Sequence, residues 1–307
     1  MRPPRPAALL AGVSAVMAAV AACTGLTALR EAPRPAPRPA VRVPAPPIPH
    51  PAGAVLYGVA SGSVPAWNKA TGTRAALSVA YISMARPVPA AFMRWTKLNA
   101  DGSEPVIEIL PRGTTLAAVT AGRGDHWLRQ LRAEITSPVV VSFAPEANGG
   151  WYSWGAQPRA FRAAWRHVHA ILGTRNITWM WQMSARLLTS RAAVARYWPG
   201  GRYVQWAGLD GYFEYPRNTF RGLFGAAIRG IHAQSPVPIL LSETAAGPGT
   251  GHQARNVREL FAGVRRYGLL GLIWFDKKQH RPPYHQNWRL QDSPAALAAF
   301  RAGVRRN

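Results

Sequence analysis

The feature that most constrains the fold is a regular alternation of short apolar runs with amphipathic stretches, which begins at Ala54 and continues to the end of the sequence. The runs are rich in Val, Ile, Leu and aromatic residues and form continuous, largely apolar stretches. Strands of a parallel sheet that is covered on both faces have this character. The pattern predicts eight strands, at Ala54–Ala60, Ala75–Ile82, Glu104–Leu110, Pro138–Phe143, Asn176–Gln182, Ala207–Gly211, Pro238–Glu243 and Leu269–Phe275.

The stretches between the apolar runs carry hydrophobic residues at helical spacing. The clearest is Pro158–Leu172, in which Phe161, Trp165 and Val168 recur at the helical period and Gly173 is a plausible C-terminal stop. Further helices are predicted at Asn218–Ala233, Gln253–Tyr267 and Ser293–Val304.

Eight strands that alternate with helices over roughly 250 residues have the size and rhythm of an α/β fold of the (β/α)8 TIM-barrel type. The competing fold is a doubly wound open sheet. That fold usually has a glycine-rich turn after its first strand, whereas this chain has Ser61-Gly62-Ser63 there. We therefore predict the barrel, in a catalytic domain that spans residues 54–307.

The N-terminal segment, residues 1–23, is predicted to be a signal peptide. Arg2 and Arg5 precede a run of small apolar residues, 7–22, that is shorter than the about 20 residues of a membrane span. The only cysteine, Cys23, ends this run after Val20-Ala21-Ala22, which resembles a bacterial lipobox. We expect lipidation at Cys23, with ordinary cleavage and an incidental cysteine as the alternative.

Residues 24–53 are predicted to be a disordered linker rich in Pro and Arg. Proline lacks the backbone donor that helices and sheets use, so this segment should be an extended spacer. Together with the N-terminal segment it predicts a bacterial protein that is extracellular, either secreted or anchored to the outer face of the cell membrane as a lipoprotein.

The formal net charge is +24, and only four of the 37 basic residues are lysines. Such a balance fits either a nucleic-acid or anionic-surface partner, or an arginine-rich composition spread over helix faces. The longest basic runs are pairs such as Arg265-Arg266, which favours the second interpretation, and no nucleic-acid partner is expected.

Carboxylates are scarce, with 13 in the whole chain, and several follow predicted strands directly. Barrel active sites lie at the C-terminal ends of strands, so these residues are candidates for chemistry. For each one, a structural carboxylate paired with arginine is the alternative. The candidates are Glu146, Asp210, Glu214, Glu243 and Asp276.

Glu146 opens a segment, 145–155, that reads PEANGGWYSWG. Flat aromatic faces stack on pyranose rings, and amide and carboxylate groups bind hydroxyl groups, so the composition suits sugar binding. The segment resembles the acid/base segment of family-26 glycoside hydrolases, the group of β-mannanases and β-1,3-1,4-glucanases. Residues 203–212, 238–243 and 273–276 are similar, in the same order, to the sixth, seventh and eighth strand segments of that family.

This resemblance implies roles for particular residues. Glu146 would be the acid/base, Glu243 the nucleophile, and Tyr212 a residue that orients the nucleophile. Further substrate-binding candidates are Asn148, Trp151, Trp154, Trp181 and Trp274. The chain departs from the family pattern at Pro145, where many members have His, at Ala147, where many have Met, and at Gln205, which replaces a common Asp.

The predicted function is that of a retaining endo-β-glycanase, which hydrolyses β-mannan or mixed-linkage β-glucan by double displacement. Such a mechanism uses two carboxyl groups about 5–5.5 Å apart, and no metal or organic cofactor is expected. The histidines of His167-x-His169 point in different directions on a helix, which argues against a metal site. We expect a monomer with a polysaccharide substrate. The alternative is a non-catalytic barrel that binds carbohydrate or cell wall.

Overall fold

The computed structural model describes residues 55–60, 63–88, 102–279 and 286–306. The predicted signal peptide, the lipidation of Cys23 and the proline-rich linker lie outside the described residues. The predictions about the catalytic domain fall largely within them.

Eight parallel strands form a closed barrel in which each strand pairs with the next and the last pairs with the first. The predicted (β/α)8 barrel is therefore confirmed, and most strand boundaries agree with the sequence pattern to within two residues. The strands are β1 (Leu56–Ala60), β2 (Leu77–Ser83), β3 (Glu104–Leu110), β4 (Val139–Phe143), β5 (Ile177–Ser184), β6 (Trp206–Phe213), β7 (Ile239–Ala246) and β8 (Gly271–Phe275).

Helices surround the barrel, and the four that the sequence predicted most clearly are present. None of the helices in the described ranges combines the length and apolar character needed to cross a membrane. The helices are α1 (Val64–Thr71), α2 (Leu116–Thr120), α3 (Asp125–Glu134), α4 (Pro158–Leu172), α5 (Arg191–Tyr197), α6 (Phe220–Gln234), α7 (Gln253–Arg266) and α8 (Pro294–Arg305).

Local sequence explains where several helices begin. The side chains of Ser63, Thr115, Ser190, Thr219 and Ser293 each accept a hydrogen bond from a backbone N–H in the first turn of the following helix. A hydroxyl at this position satisfies one of the backbone donors that a helix leaves unpaired at its start. These Ser and Thr residues thus set the helix starts.

Strand parity decides which side chains enter the barrel. In β5, for example, Trp179 and Trp181 contact the surrounding helical layer, while Gln182 points inward to other strand residues. Side chains alternate between the two faces of a strand, so neighbouring residues have opposite environments. The core therefore consists of a barrel interior and a layer between the strands and the helices.

The strands that carry the site are irregular. The β6–β7 pairing shifts register between Gly208 and Asp210, and the β7–β8 pairing shifts between Leu241 and Thr244. Glu243 lies within this irregular stretch of β7. Bulges redirect side chains next to active sites, and here they act on the residue that the sequence predicted as nucleophile.

Candidate active site

A cavity of about 520 Å³ lies where the strands β2 to β8 end and the loops that follow them begin. Both Glu146 and Glu243 line it, so the structure brings the two predicted catalytic residues into one cleft. Asp210 and Glu214, two of the other strand-end carboxylates, line the same cleft. The barrel thus places four of the five sequence candidates together.

Glu146 lies three residues beyond β4 rather than on the strand. Its φ is 52° and that of Ala144 is 49°. Both values lie in the left-handed region, which residues other than glycine rarely adopt. The backbone N–H of Glu146 donates to the carbonyl oxygen of Gln182 at 3.1 Å, which ties the turn to β5. Backbone strain of this kind is typical of functional sites, where surrounding contacts hold it in place.

The carboxyl group of Glu146 has a mixed environment. The Trp151 indole Nε1 donates to its Oε2 at 2.8 Å. Burial and, after it, the neighbouring Glu243 raise the pKa of Glu146 to about 7, while Trp151 and Arg186 oppose the rise. A carboxyl group with this pKa exchanges a proton near neutral pH, as a general acid/base must.

The loop that carries Glu146 needs its glycines. A Cβ atom on Gly149 would collide with the ring of Trp151, and one on Gly155 would collide with the carbonyl oxygen of Gly149. The glycines of the sequence motif therefore allow the loop to close tightly beneath Trp151, which stays 40% exposed at the cleft.

Asn148 anchors this loop to β5. Its Nδ2 donates to the Ser184 carbonyl oxygen at 2.8 Å, and its Oδ1 accepts from the Ser184 N–H at 3.0 Å. Asn148 does not appear among the residues that line the cleft. Our prediction of Asn148 as a sugar ligand is therefore corrected: both of its amide atoms are already bound to backbone, and it positions the loop.

Glu243 has a different set of partners. The Tyr81 hydroxyl donates to its Oε1 at 2.7 Å, and burial together with Glu243 raises the pKa of Tyr81 well above its usual value, which keeps this donor protonated. Burial raises the pKa of Glu243, but hydrogen bonds from Tyr81 and Tyr212 and the charge of Lys277 all oppose that rise. These partners stabilise the ionised carboxylate.

Beneath the pair lies a buried polar network that sequence reasoning missed. Gln182 Nε2 donates to Glu108 Oε1 at 3.0 Å and to Asp210 Oδ2 at 3.0 Å, and Ser242 Oγ donates to Asp210 Oδ1 at 2.6 Å. Burial raises the pKa of both Glu108 and Asp210 well above their usual values. The signal in the sequence was a carboxylate inside the apolar run of β3, which is costly unless it is used.

Three of the predicted sugar platforms do not reach the cleft. Trp181 and Trp274 are 0% exposed and Trp154 is 2% exposed. Each indole N–H is bound to a backbone carbonyl oxygen: that of Tyr197 for Trp181, that of Trp288 for Trp274 and that of Pro145 for Trp154. The prediction that these three residues bind sugar is therefore wrong. Trp181 and Trp274 lie on the strand face that is turned toward the helices, and Trp154 is buried beneath the loop.

Other aromatic residues line the cleft instead. Trp151 and Tyr212 do so as predicted, and Tyr81, Phe275 and Trp288 were not singled out from the sequence. Phe275 follows Trp274 on β8. The sequence analysis therefore recognised the correct strand end but selected the residue on the opposite face of the strand. Asp276 is structural: its carboxylate accepts from the Leu290 N–H at 2.9 Å and from Gln291 Nε2 at 3.0 Å.

Comparison with known proteins finds similarity to glycoside hydrolases. A family model described as glycosyl hydrolase family 26 matches residues 116–233. Endoglucanase H of Acetivibrio thermocellus is 28% identical over 237 residues, which cover 68% of this chain and 26% of that protein. A β-1,3-xylanase of an Alcaligenes species is 28% identical over 88 residues, or 28% of this chain and 19% of the relative. The chain thus spans about a quarter or less of these curated relatives.

Solved structures share the fold. An endo-β-1,4-mannanase double mutant of Cellulomonas fimi aligns with a TM-score of 0.63 at 18% identity, covering 81% of this chain and 70% of that one. A family-26 β-mannanase of Bacteroides ovatus aligns with a TM-score of 0.63 at 16% identity, covering 82% of this chain and 88% of that one. Together with the family model over residues 116–233 and the similarity to endoglucanase H, these structures confirm the resemblance to family 26 that the motifs indicated.

Proposed function

Because this chain is a relative of the family-26 glycoside hydrolases, we propose that it is a retaining endo-β-glycanase that hydrolyses β-mannan or mixed-linkage β-glucan. The observation that carries the proposal is the asymmetry of the two glutamates in one cleft. Burial raises the pKa of both groups, that of Glu146 to about 7, while Tyr81, Tyr212 and Lys277 oppose the rise at Glu243 and stabilise its ionised form. Two carboxyl groups with different environments are what acid/base and nucleophilic roles require.

In the proposed first step, the Glu243 carboxylate attacks the anomeric carbon, and the glycosidic C–O bond breaks. Glu146 gives its proton to the leaving oxygen, and the product is a glycosyl ester on Glu243. In the second step, Glu146, now ionised, takes a proton from water. The water oxygen bonds to the anomeric carbon, the ester bond breaks, and both glutamates return to their starting states with the anomeric configuration retained.

The lining of the cleft suits the binding of sugar rings. It combines exposed Trp151 with the rings of Tyr212 and Phe275, which offer apolar faces to sugar rings. Hydrolase names among the relatives agree with this class of reaction: one is named an endoglucanase, and one solved neighbour is named an endo-β-1,4-mannanase.

The test is a panel of polysaccharides with reducing-end detection, using residues 53–307 and the Glu243→Ala variant as the matched inactive control. Release of reducing ends from mannan or mixed-linkage β-glucan by the wild type alone supports the proposal. Absence of hydrolysis on every β-glycan would remove it and favour a binding role for the barrel.

We also propose, from the sequence, that the protein is exported and anchored through a lipid on Cys23. The observation behind this is the run of small apolar residues, 7–22, that ends at the only cysteine. In cell fractionation, Cys23→Ser should move the protein from the membrane fraction to the medium. A wild-type protein that is already wholly in the medium would contradict anchoring and leave simple secretion.

A further inference from the structure

Three arginines line the mouth of the cleft, and we refer to them as the arginine rim: Arg112, Arg186 and Arg217. They follow three different strands, since Arg112 comes after β3, Arg186 after β5 and Arg217 after β6. All three side chains are exposed. Arginine is common throughout this chain, so their position alone does not distinguish them; their surroundings do.

Each guanidinium group of the arginine rim lies over an aromatic ring. The distances from the guanidinium carbon to the ring centroid are 5.8 Å for Arg112 over Trp154, 4.8 Å for Arg186 over Trp151 and 5.3 Å for Arg217 over Tyr215. Such contacts restrict the orientation of the guanidinium plane. The N–H donors, which lie in that plane, stay available at its edge.

No carboxylate among the described residues lies within 4.0 Å of a rim guanidinium nitrogen, although the chain forms such pairs elsewhere, as Arg129 does with Asp125. Arg186 does lower the pKa of Glu146 and of Glu214 through its charge, but it forms no ion pair with either. Within the described part of the chain, the rim therefore presents oriented positive charges that form no ion pair with a carboxylate.

The floor of the cleft, where the strand carboxyl groups lie, disfavours an anionic ligand, in contrast to the rim. Glu108, Asp210 and Glu243 lie there, and the pKa of each is raised, first by burial. A further carboxylate at the scissile bond would lose its hydration in a place where burial already disfavours the charged form of three carboxyl groups. An anionic ligand therefore fits at the rim, away from the reacting carbon, rather than at the floor.

We propose that the substrate is a β-glycan that carries carboxylate groups, and that the arginine rim binds these groups on sugar units flanking the cleavage point. A neutral mannan or glucan offers hydroxyl groups only, which do not use the charge of three guanidinium groups. A carboxylate pairs with a guanidinium group through two parallel hydrogen bonds. This inference rests on the proposed glycanase function and specifies its substrate class.

The test compares each neutral polymer with its own acidic derivative. Mannan and mixed-linkage β-glucan are used as they are and after oxidation of part of their C6 hydroxymethyl groups to carboxylates. The rim variant is Arg112→Gln/Arg217→Gln, which spares Arg186 because that residue influences Glu146. The matched control is Arg229→Gln/Arg258→Gln, which removes two exposed arginines of α6 and α7 that do not line the cleft.

We expect the wild type to have a higher kcat/KM on the oxidised polymers, and this preference to weaken as salt is added. The ratio of acidic to neutral kcat/KM should fall about tenfold in the rim variant, the scale of a lost charge-assisted hydrogen bond, and stay unchanged in the control. Thermal unfolding of both variants shows whether they fold equally well.

Two results overturn the inference while leaving the glycanase function intact: a wild type that does not prefer the oxidised polymers, or equal selectivity in the rim and control variants. If no polymer is cut, the glycanase proposal fails instead. Calorimetric titration with neutral and oxidised oligosaccharides then tests separately whether the arginine rim binds carboxylate groups. Tighter binding of the oxidised forms that the rim variant loses supports it, and equal binding of both forms overturns it.

Discussion

The loop after β4 and the strand β7 each deliver one glutamate to the cleft, and they do so by different means. Glu146 lies outside its strand, at a backbone φ of 52°, beside exposed Trp151 and the charge of Arg186. Glu243 lies within β7, at the point where the pairing of that strand with both β6 and β8 shifts register. Tyr81 and Tyr212 donate hydrogen bonds to it. One residue type thus has two environments.

The difference explains how a single side chain can serve two roles. A group that exchanges protons benefits from partial exposure and a pKa close to the working pH, and Glu146 has a pKa of about 7. A nucleophile must be ionised and held in place, and the hydroxyl groups of Tyr81 on β2 and Tyr212 on β6 do both for Glu243.

Replacing Glu243 should have the largest effect. Glu243→Ala removes the group that forms the covalent ester, so activity should fall by roughly 10⁴-fold or more on every substrate, including activated aryl glycosides. Steady-state kinetics on a polysaccharide and on an aryl glycoside measure this. A variant that keeps activity on the aryl substrate would mean that Glu243 is not the nucleophile.

Replacing Glu146 should cost activity selectively. Glu146→Ala should lose about 10²–10⁴-fold on polysaccharide, where the leaving oxygen needs a proton, and far less on activated aryl glycosides in the first step. Added azide should restore turnover and yield the β-glycosyl azide, which proton NMR identifies. An α-azide product would show that the two roles are reversed.

Loosening the β4 loop should have a smaller effect. Asn148→Ala removes both hydrogen bonds to Ser184, so the strained turn that carries Glu146 loses one of its supports. We expect kcat to fall roughly tenfold while KM changes little, because a small misplacement of an acid/base slows chemistry more than binding. A large rise in KM at constant kcat would instead restore Asn148 as a sugar ligand.

Removing one hydrogen-bond donor from each glutamate should change the maximal rate least, but it should shift different limbs of the pH profile of activity. Glu146 acts protonated in the first step, so activity falls as pH rises through its pKa. Trp151→Phe removes a hydrogen bond that lowers that pKa, and the alkaline limb should therefore move to higher pH.

Glu243 acts ionised, so activity falls as pH drops through its pKa. Tyr81→Phe removes a donor that lowers this pKa, and the acid limb should move to higher pH while the alkaline limb stays in place. kcat/KM measured from acid to alkaline pH for both variants checks this pair. A shift of the same limb in both variants would show that the two glutamates titrate as one coupled unit, without separate control.

Much of this molecule followed from the sequence alone. The eight apolar runs predicted the barrel, because strands buried on both faces need continuous apolar sequence. The rule that barrel sites lie at strand ends then selected Glu146, Asp210, Glu214 and Glu243 for the cleft. Those conclusions depend only on where apolar runs and carboxylates follow one another along the chain, which the sequence gives directly.

Only the tertiary structure decided which side chains face the cleft and what surrounds them. Trp181 and Trp274 lie on the correct strands but on the helix-facing side, whereas Phe275, one residue further along, enters the cleft. Tyr81 reaches Glu243 across 162 positions of sequence, and Gln182 joins Glu108 to Asp210 from a third strand. A strand alternates with a period of two residues and a barrel closes on itself, so one residue of register and the closure of the ring determine these contacts.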